Sequence, residues 1–242
     1  MIPSEPSALL ALFLAAFLAA AVSASAGFGG ALLLLPLLVR AVGAEAAVPL
    51  LTIAQLAGNA SRMALGRREI AWAHVSRFLA GAVPGAVLGA HLFVAAPPGL
   101  VTRAAGAAIL GFVALRAAGW QPRPTGWLLP VGGLATGLVS GLVGSAGPMG
   151  AAIFLTLGLP PLAYVASEAA TALAMHGTKL LVWSRTLGPP PGFWPLALGL
   201  AAAMLAGTAA ARRLVARLPR RRFEQAVGVL LVLAGAQMLL AG

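Results

Sequence analysis

Long apolar runs separated by short polar interruptions cover almost the whole chain, at 9–39, 46–65, 75–94, 100–118, 127–158, 162–183, 193–211 and 223–240. Six of them have the length of one membrane crossing, roughly 20 residues. The first and fifth are too long for a single crossing, and each is interrupted near its middle by small residues. The interruptions are Ser23-Ala24-Ser25-Ala26-Gly27-Phe28-Gly29-Gly30 and Gly144-Ser145-Ala146-Gly147-Pro148-Met149-Gly150. The start Leu9 to Val22, followed by Ala24-Ser25-Ala26, has the look of a signal peptide. It lacks a basic leader, and its apolar run continues past Gly30, so it reads as a membrane segment.

The two breaks lie about 120 positions apart, and the segments that follow each come in the same order. An internal duplication is the expected architecture, with repeats at 1–118 and 127–242 joined by a polar, Pro-rich linker at 119–126. Matching landmarks are Gly27/Gly147, Gly30/Gly150, Gly58/Gly177, Gly89/Gly207 and Arg103/Arg222.

Charge discriminates between two ways of threading the long runs. If each crosses once, as a tilted helix kinked at its glycines, arginines divide nearly evenly between the two sides. If each turns back at its break, Arg67, Arg68, Arg77, Arg116, Arg123, Arg212, Arg213, Arg217, Arg220, Arg221 and Arg222 share one side. Only Arg40, Arg103, Arg185 and Lys179 then remain opposite. The preference of basic loops for the cytoplasm favours the hairpins. The expected fold is therefore an all-α polytopic membrane protein of two inverted repeats, four hydrophobic segments each, with both termini outside the cytoplasm.

Composition agrees: 60% of residues are hydrophobic and 9% charged, too few to cover a water-soluble surface. With no Cys and no Asp, disulfides, thiolate metal sites and Asp-based schemes are excluded. Metal, cofactor and catalytic residues are not expected. The net charge of +11 sits in loops between membrane runs, so it reads as an orientation signal and not as a nucleic-acid surface. The densest cluster, at 212–222, is expected to meet anionic lipid headgroups.

Glycine-rich turns leave backbone N–H groups unshielded, and a half-helix following the turn points its positive end at the same place. Both breaks thus qualify as anion sites, with Ser23, Ser25 and Ser145 as added hydroxyl donors. On the second run, Thr52, Gln55, Asn59 and Arg62 share one helical face. The equivalent run carries Glu168, Thr171, Met175, His176 and Lys179, again largely on one face. Intramembrane ionisable residues are functional candidates. His176 and Glu168 are candidates for coupling to protons, although His176 also fits a neutral interhelical contact and Lys179 an interfacial anchor. Two readings from other classes remain open. Ser145 with His176 resembles the nucleophile and base of an intramembrane serine hydrolase, and a non-transporting assembly subunit would use the polar faces only for folding.

The first break with its continuation, Gly27-Phe28-Gly29-Gly30-Ala31-Leu32-Leu33-Leu34-Leu35-Pro36, resembles the first signature of the sulfite exporter TauE/SafE family of bacterial permeases. Gly144-Ser145-Ala146-Gly147-Pro148, Ala166-Ser167-Glu168-Ala169-Ala170-Thr171 and His176-Gly177-Thr178-Lys179 are similar to its second half. The resemblance spans nearly the whole chain. Ala31, where many members carry another glycine, and the missing second Gly-Gly pair depart from the pattern. The resemblance implies a multi-pass carrier of the bacterial inner membrane that exports a small anion such as sulfite or a sulfonate; a homo-oligomer is a further expectation. On this reading Gly27, Gly29, Gly30, Gly144, Ser145 and Gly147 supply donors, Asn59 and Thr178 orient the anion, and Lys179 offsets its charge.

Overall fold

A computed structural model describes residues 2–3, 5–26, 30–119, 126–214, 229, 232–233 and 235–240. Among these the chain is helical and without strands. The helices are α1 (Pro6–Ala26), α2 (Gly30–Val42), α3 (Ala44–Leu65), α4 (Trp72–Ala95), α5 (Pro98–Ala117), α6 (Leu128–Val143), α7 (Gly147–Leu155), α8 (Pro161–Trp183) and α9 (Phe193–Leu214). Gly27 and Gly29, most of the expected linker, most of the run at 212–222 and half of that at 223–240 lie outside the described residues.

Segments Pro6–Ser23, Trp72–Ala95, Pro98–Leu115 and Phe193–Ala211 are long and apolar enough to cross a bilayer. Their outer faces suit lipid better than water: Leu10, Leu14 and Leu18 of α1 and Trp194, Leu198 and Leu205 of α9 are all exposed. In lipid the backbone must satisfy itself, which is why the described residues are mainly helical and tolerate Pro36, Pro49 and Pro84 inside helices.

Both long apolar runs reverse direction. On one continuous helix Gly30 would stand about 16 Å beyond Ala19 along the axis. Instead, a methyl group placed on Gly30 would come 2.3 Å from the Ala19 carbonyl oxygen and 2.8 Å from Ser23 Cβ. Helix α2 is folded back on α1. In the same way Ile153 of α7 reaches the position of a Cβ on Gly132 of α6, within 2.4 Å, where a straight helix would separate them by about 30 Å. Gly144 makes the second reversal with φ of +89°, a left-handed conformation that glycine adopts without strain. At 13 and 9 residues, α2 and α7 are about 20 and 14 Å long, too short to span.

Two seams of close approach organise the bundle. Gly81, Gly85 and Gly89 of α4 face Gly133, Gly137 and Gly141 of α6, and a Cβ on any of them would sit 1.9–2.6 Å from a backbone atom of the partner helix. Residue numbers rise together along the seam, so α4 and α6 run parallel. The spacing of four is the small-residue pattern that lets membrane helices touch backbone to backbone. The second seam joins α1 to α9, again parallel, with Gly199 against Phe13 and Gly207 against the Phe17 carbonyl and Ala20. Between the seams α3 and α8 pack antiparallel, the end of α3 at Gly66 meeting Leu162 and Ala166 near the start of α8.

These directions gather the loop holding Arg67 and Arg68, the starts of α6 and α8 and the ends of α5 and α9 at one end of the bundle. Arg40, Arg103 and Arg185 lie toward the other end. At that second end a cleft of about 550 Å³ opens, lined by Glu45, Ile53, Phe93, Trp183 and Trp194 among others. A tilted ring contact fixes its aromatic floor, with the Phe93 and Trp183 rings 5.2 Å apart and Trp183 Nε1 donating to the Ala90 carbonyl at 3.3 Å.

Filling the first seam should cost far more than filling open space. Gly85→Ala is expected to lower thermal stability in detergent by about 1–3 kcal/mol. Gly111→Ala, where nothing lies within 4 Å of the new methyl, should leave the melting curve in place. Equal behaviour of the two variants would mean that the seam is not closely packed.

Candidate functional site

Helices α3 and α8 turn their polar faces toward each other in the middle of the bundle. Thr52, Gln55, Asn59 and Arg62 are buried, and so are Glu168, Thr171, Met175, His176 and Lys179. Leu50, Leu51, Ala169 and Ala170, also buried, show that these two helices are enclosed on most sides. That separates them from the lipid-facing helices and explains why polar residues are tolerated on them.

Because α3 and α8 are antiparallel, Arg62 near the end of α3 meets Glu168 in the first half of α8. Arg62 Nη1 lies 3.8 Å from Glu168 Oε2, and Arg62 Nη2 donates to Asn59 Oδ1, one turn earlier on its own helix. This charged group forms one wall of a small polar cavity of about 30 Å³. Gln55, Asn59 and Arg62 line it from α3, Glu168, Met175 and His176 from α8, and Ser140 from α6. Ser145, Ala146, Gly147 and Pro148 enter from the second break, and Ser23 and Ala31 from the flanks of the first. Residues beside both breaks therefore border a single cavity.

Two buried side-chain nitrogens at this cavity have no hydrogen-bond partner, Gln55 Nε2 and His176 Nδ1. Leaving such groups unsatisfied costs roughly 1–3 kcal/mol each, and both belong to residues that line the cavity. The start of α7 at Gly147 borders the same space, bringing the positive end of a helix to it.

Of the residues expected at the site, Asn59, Ser145, Gly147, His176 and Glu168 are brought together here. Lys179 and Thr178 are not. Lys179 is fully buried and donates to Ser140 O at 3.2 Å, Ser140 Oγ at 3.0 Å and Gly144 O at 2.9 Å. Its hydrogen bonds go to two carbonyls and one hydroxyl at the end of α6, and it is neither an interfacial anchor nor a lining residue. Thr178 is half-buried and donates to the Ala174 carbonyl one turn back. Gly144 supplies the turn and an acceptor for Lys179, while Gly30 supplies the close approach of α2 to α1. Gly27 and Gly29 lie outside the described residues.

The sequence shows Arg62, Gln55 and Ser140 without giving them a place at the site. Arg62 stands three residues from the end of its apolar run, which looks interfacial until Glu168 is seen beside it. The signal available was the pair Asn59 and Arg62 at a spacing of three, opposite an equally isolated carboxylate in the matching run.

The family model of the sulfite exporter TauE/SafE matches residues 12–238 of the chain. No curated protein and no solved structure matches it.

If Lys179 holds the end of α6, its loss should appear without any substrate present. Lys179→Ala is expected to lower thermal stability in detergent by about 1–3 kcal/mol, since it takes the hydrogen-bond donor from the buried Gly144 carbonyl. A variant that melts with the unaltered protein would show that this tie does not hold α6.

Proposed function

Because the chain belongs to the sulfite exporter TauE/SafE family, we propose that it is a secondary carrier exporting a small oxyanion, such as sulfite or an organosulfonate, through the cavity between the two glycine breaks. The family is one of membrane permeases and not of enzymes, which sets aside the serine hydrolase. In line with this, Ser145 and His176 share the cavity without a hydrogen bond between them among the described residues.

The observation that carries the reading is the donor set at the cavity. Arg62 offers a planar fork of N–H donors matched to an oxyanion. Gln55 Nε2 and His176 offer further nitrogens, Ser23 and Ser145 hydroxyls, and α7 its N-terminal end. Asn59 holds the guanidinium through Oδ1, and Lys179 positions Ser145 by fixing the carbonyl of the preceding residue. Lys179 acts on the anion through α6 and not by contact.

The helix pairings support two repeats, 1–118 and 127–242, of opposite orientation. The seam of α4 with α6 has its counterpart in that of α9 with α1, the reversal of α2 on α1 in that of α7 on α6, and α3 meets α8 head to tail. The end bearing Arg67 and Arg68 is then cytoplasmic in a bacterial inner membrane, and the arginines at 212–222 meet anionic lipid on that face. Half-helices at such a repeat interface are a recurrent setting for transporter sites.

Purified protein in proteoliposomes is expected to give saturable flux of at least one of labelled sulfite, thiosulfate and a small sulfonate. Arg62→Lys keeps the charge and loses the fork, so the concentration for half-maximal flux should rise about tenfold. Absence of flux for all three anions, with insertion verified, would refute the carrier reading.

A further inference from the structure

Glu168 is a carboxylate in an unusual position. Its Oε2 is buried with no hydrogen-bond partner, and its charged contact among the described residues is Arg62 Nη1 at 3.8 Å. That distance is beyond a hydrogen bond, so the two groups neutralise each other without being locked together. Asn59 Oδ1 meanwhile grips the other terminal nitrogen of the same guanidinium. The cavity beside this pair holds roughly one water molecule, so an oxyanion can enter only by widening it, and the Arg62–Glu168 contact in its wall is not held by a hydrogen bond.

We propose that Glu168 occupies the place of the transported anion on Arg62 and takes up a proton when the anion displaces it, so that a monovalent anion crosses together with one proton. This rests on the anion-carrier reading above. In the empty site Arg62 and Glu168 sum to zero charge. When an anion pairs with Arg62, Glu168 is left without its counter-charge in a water-poor interior, and a buried carboxylate in that state neutralises itself by protonation. One O–H bond forms at Glu168, the loaded site again sums to zero, and the proton departs when the anion leaves and the ion pair closes. Site charge is then equal in the empty and loaded forms, which removes the cost of moving net charge through the bilayer.

The surroundings of Glu168 fit this exchange. From α3 the charged group facing it is Arg62, and on α8 itself Tyr164 stands one turn before it and His176 two turns after. Lys179, eleven positions along α8, is committed to the end of α6. From the first break, α6 and α7, the residues lining the cavity are Ser23, Ala31, Ser140, Ser145, Ala146, Gly147 and Pro148, none of which is titratable. Packing of α4 on α8 places Ala71 N–H on Ser167 Oγ at 2.9 Å, again a neutral contact.

The test uses the full chain in proteoliposomes with an internal pH dye and a valinomycin-set membrane potential. The probe is whichever of methanesulfonate, thiosulfate or sulfite is transported. For a monovalent anion, accumulation should change about tenfold per pH unit of imposed gradient and not respond to voltage. In Glu168→Gln, which is fixed in the neutral form, dye response to anion influx should vanish. Accumulation in that variant should instead change about tenfold for every 59 mV. Wild-type flux that follows voltage and moves no protons would overturn the proposal while leaving the carrier reading intact, and this arm does not depend on how the variant folds. Flux in Glu168→Gln that still carries protons would overturn it as well. No flux of any probe overturns the carrier reading and the coupling together.

Discussion

An ionised side chain inside a bilayer must find its counter-charge or its hydrogen bonds within the protein, and this chain places Arg62, Glu168 and Lys179 deep between its helices. The rest of the structure answers that demand. Lys179 finds its partners only because α6 stops at Gly144, whose own carbonyl is left for Lys179 while Ser140 O is shared with the Gly144 N–H. Arg62 and Glu168 find each other only because α3 and α8 run in opposite directions. Break, reversal and antiparallel pairing are separate features of the backbone, but the placement of charge makes each depend on the others.

Close helix approach supplies the enclosure those charges need. Without side chains at Gly81, Gly85, Gly89, Gly133, Gly137 and Gly141, helices α4 and α6 meet through their backbones and exclude lipid along the seam. Phe78 of α4 then reaches Phe154 of α7 in an edge-to-face contact at 5.3 Å, which seats the short helix against its neighbour and its start against the cavity.

Much of this was legible in the sequence, in proportion to how local each feature is. The runs, the breaks and the polar faces of α3 and α8 are periodicities within a single segment, and charge asymmetry favours reversal at the breaks. The role of Lys179 was not legible, because its acceptors lie 35 and 39 positions away and belong to a helix end whose boundary only the turn at Gly144 defines. Arg62 was visible on its stripe, but its depth depends on a carboxylate more than a hundred residues later. The glycines spaced by four on α4 and α6 stand in the sequence, yet in a chain with 30 glycines only the partner helix separates that seam from background.

Both seams tie a helix from the N-terminal half of the chain to one from the C-terminal half: α4 to α6, and α9 to α1. Swinging one half as a block against the other would tear both seams open at their tightest contacts. The bodies that can move intact are the mixed ones, α4 with α6 and α1 with α9, sliding or tilting along α3 and α8, where side chains rather than backbones form the interface. Any motion that keeps both seams closed is then a shear between interlocked pairs, and its border does not fall at the middle of the sequence.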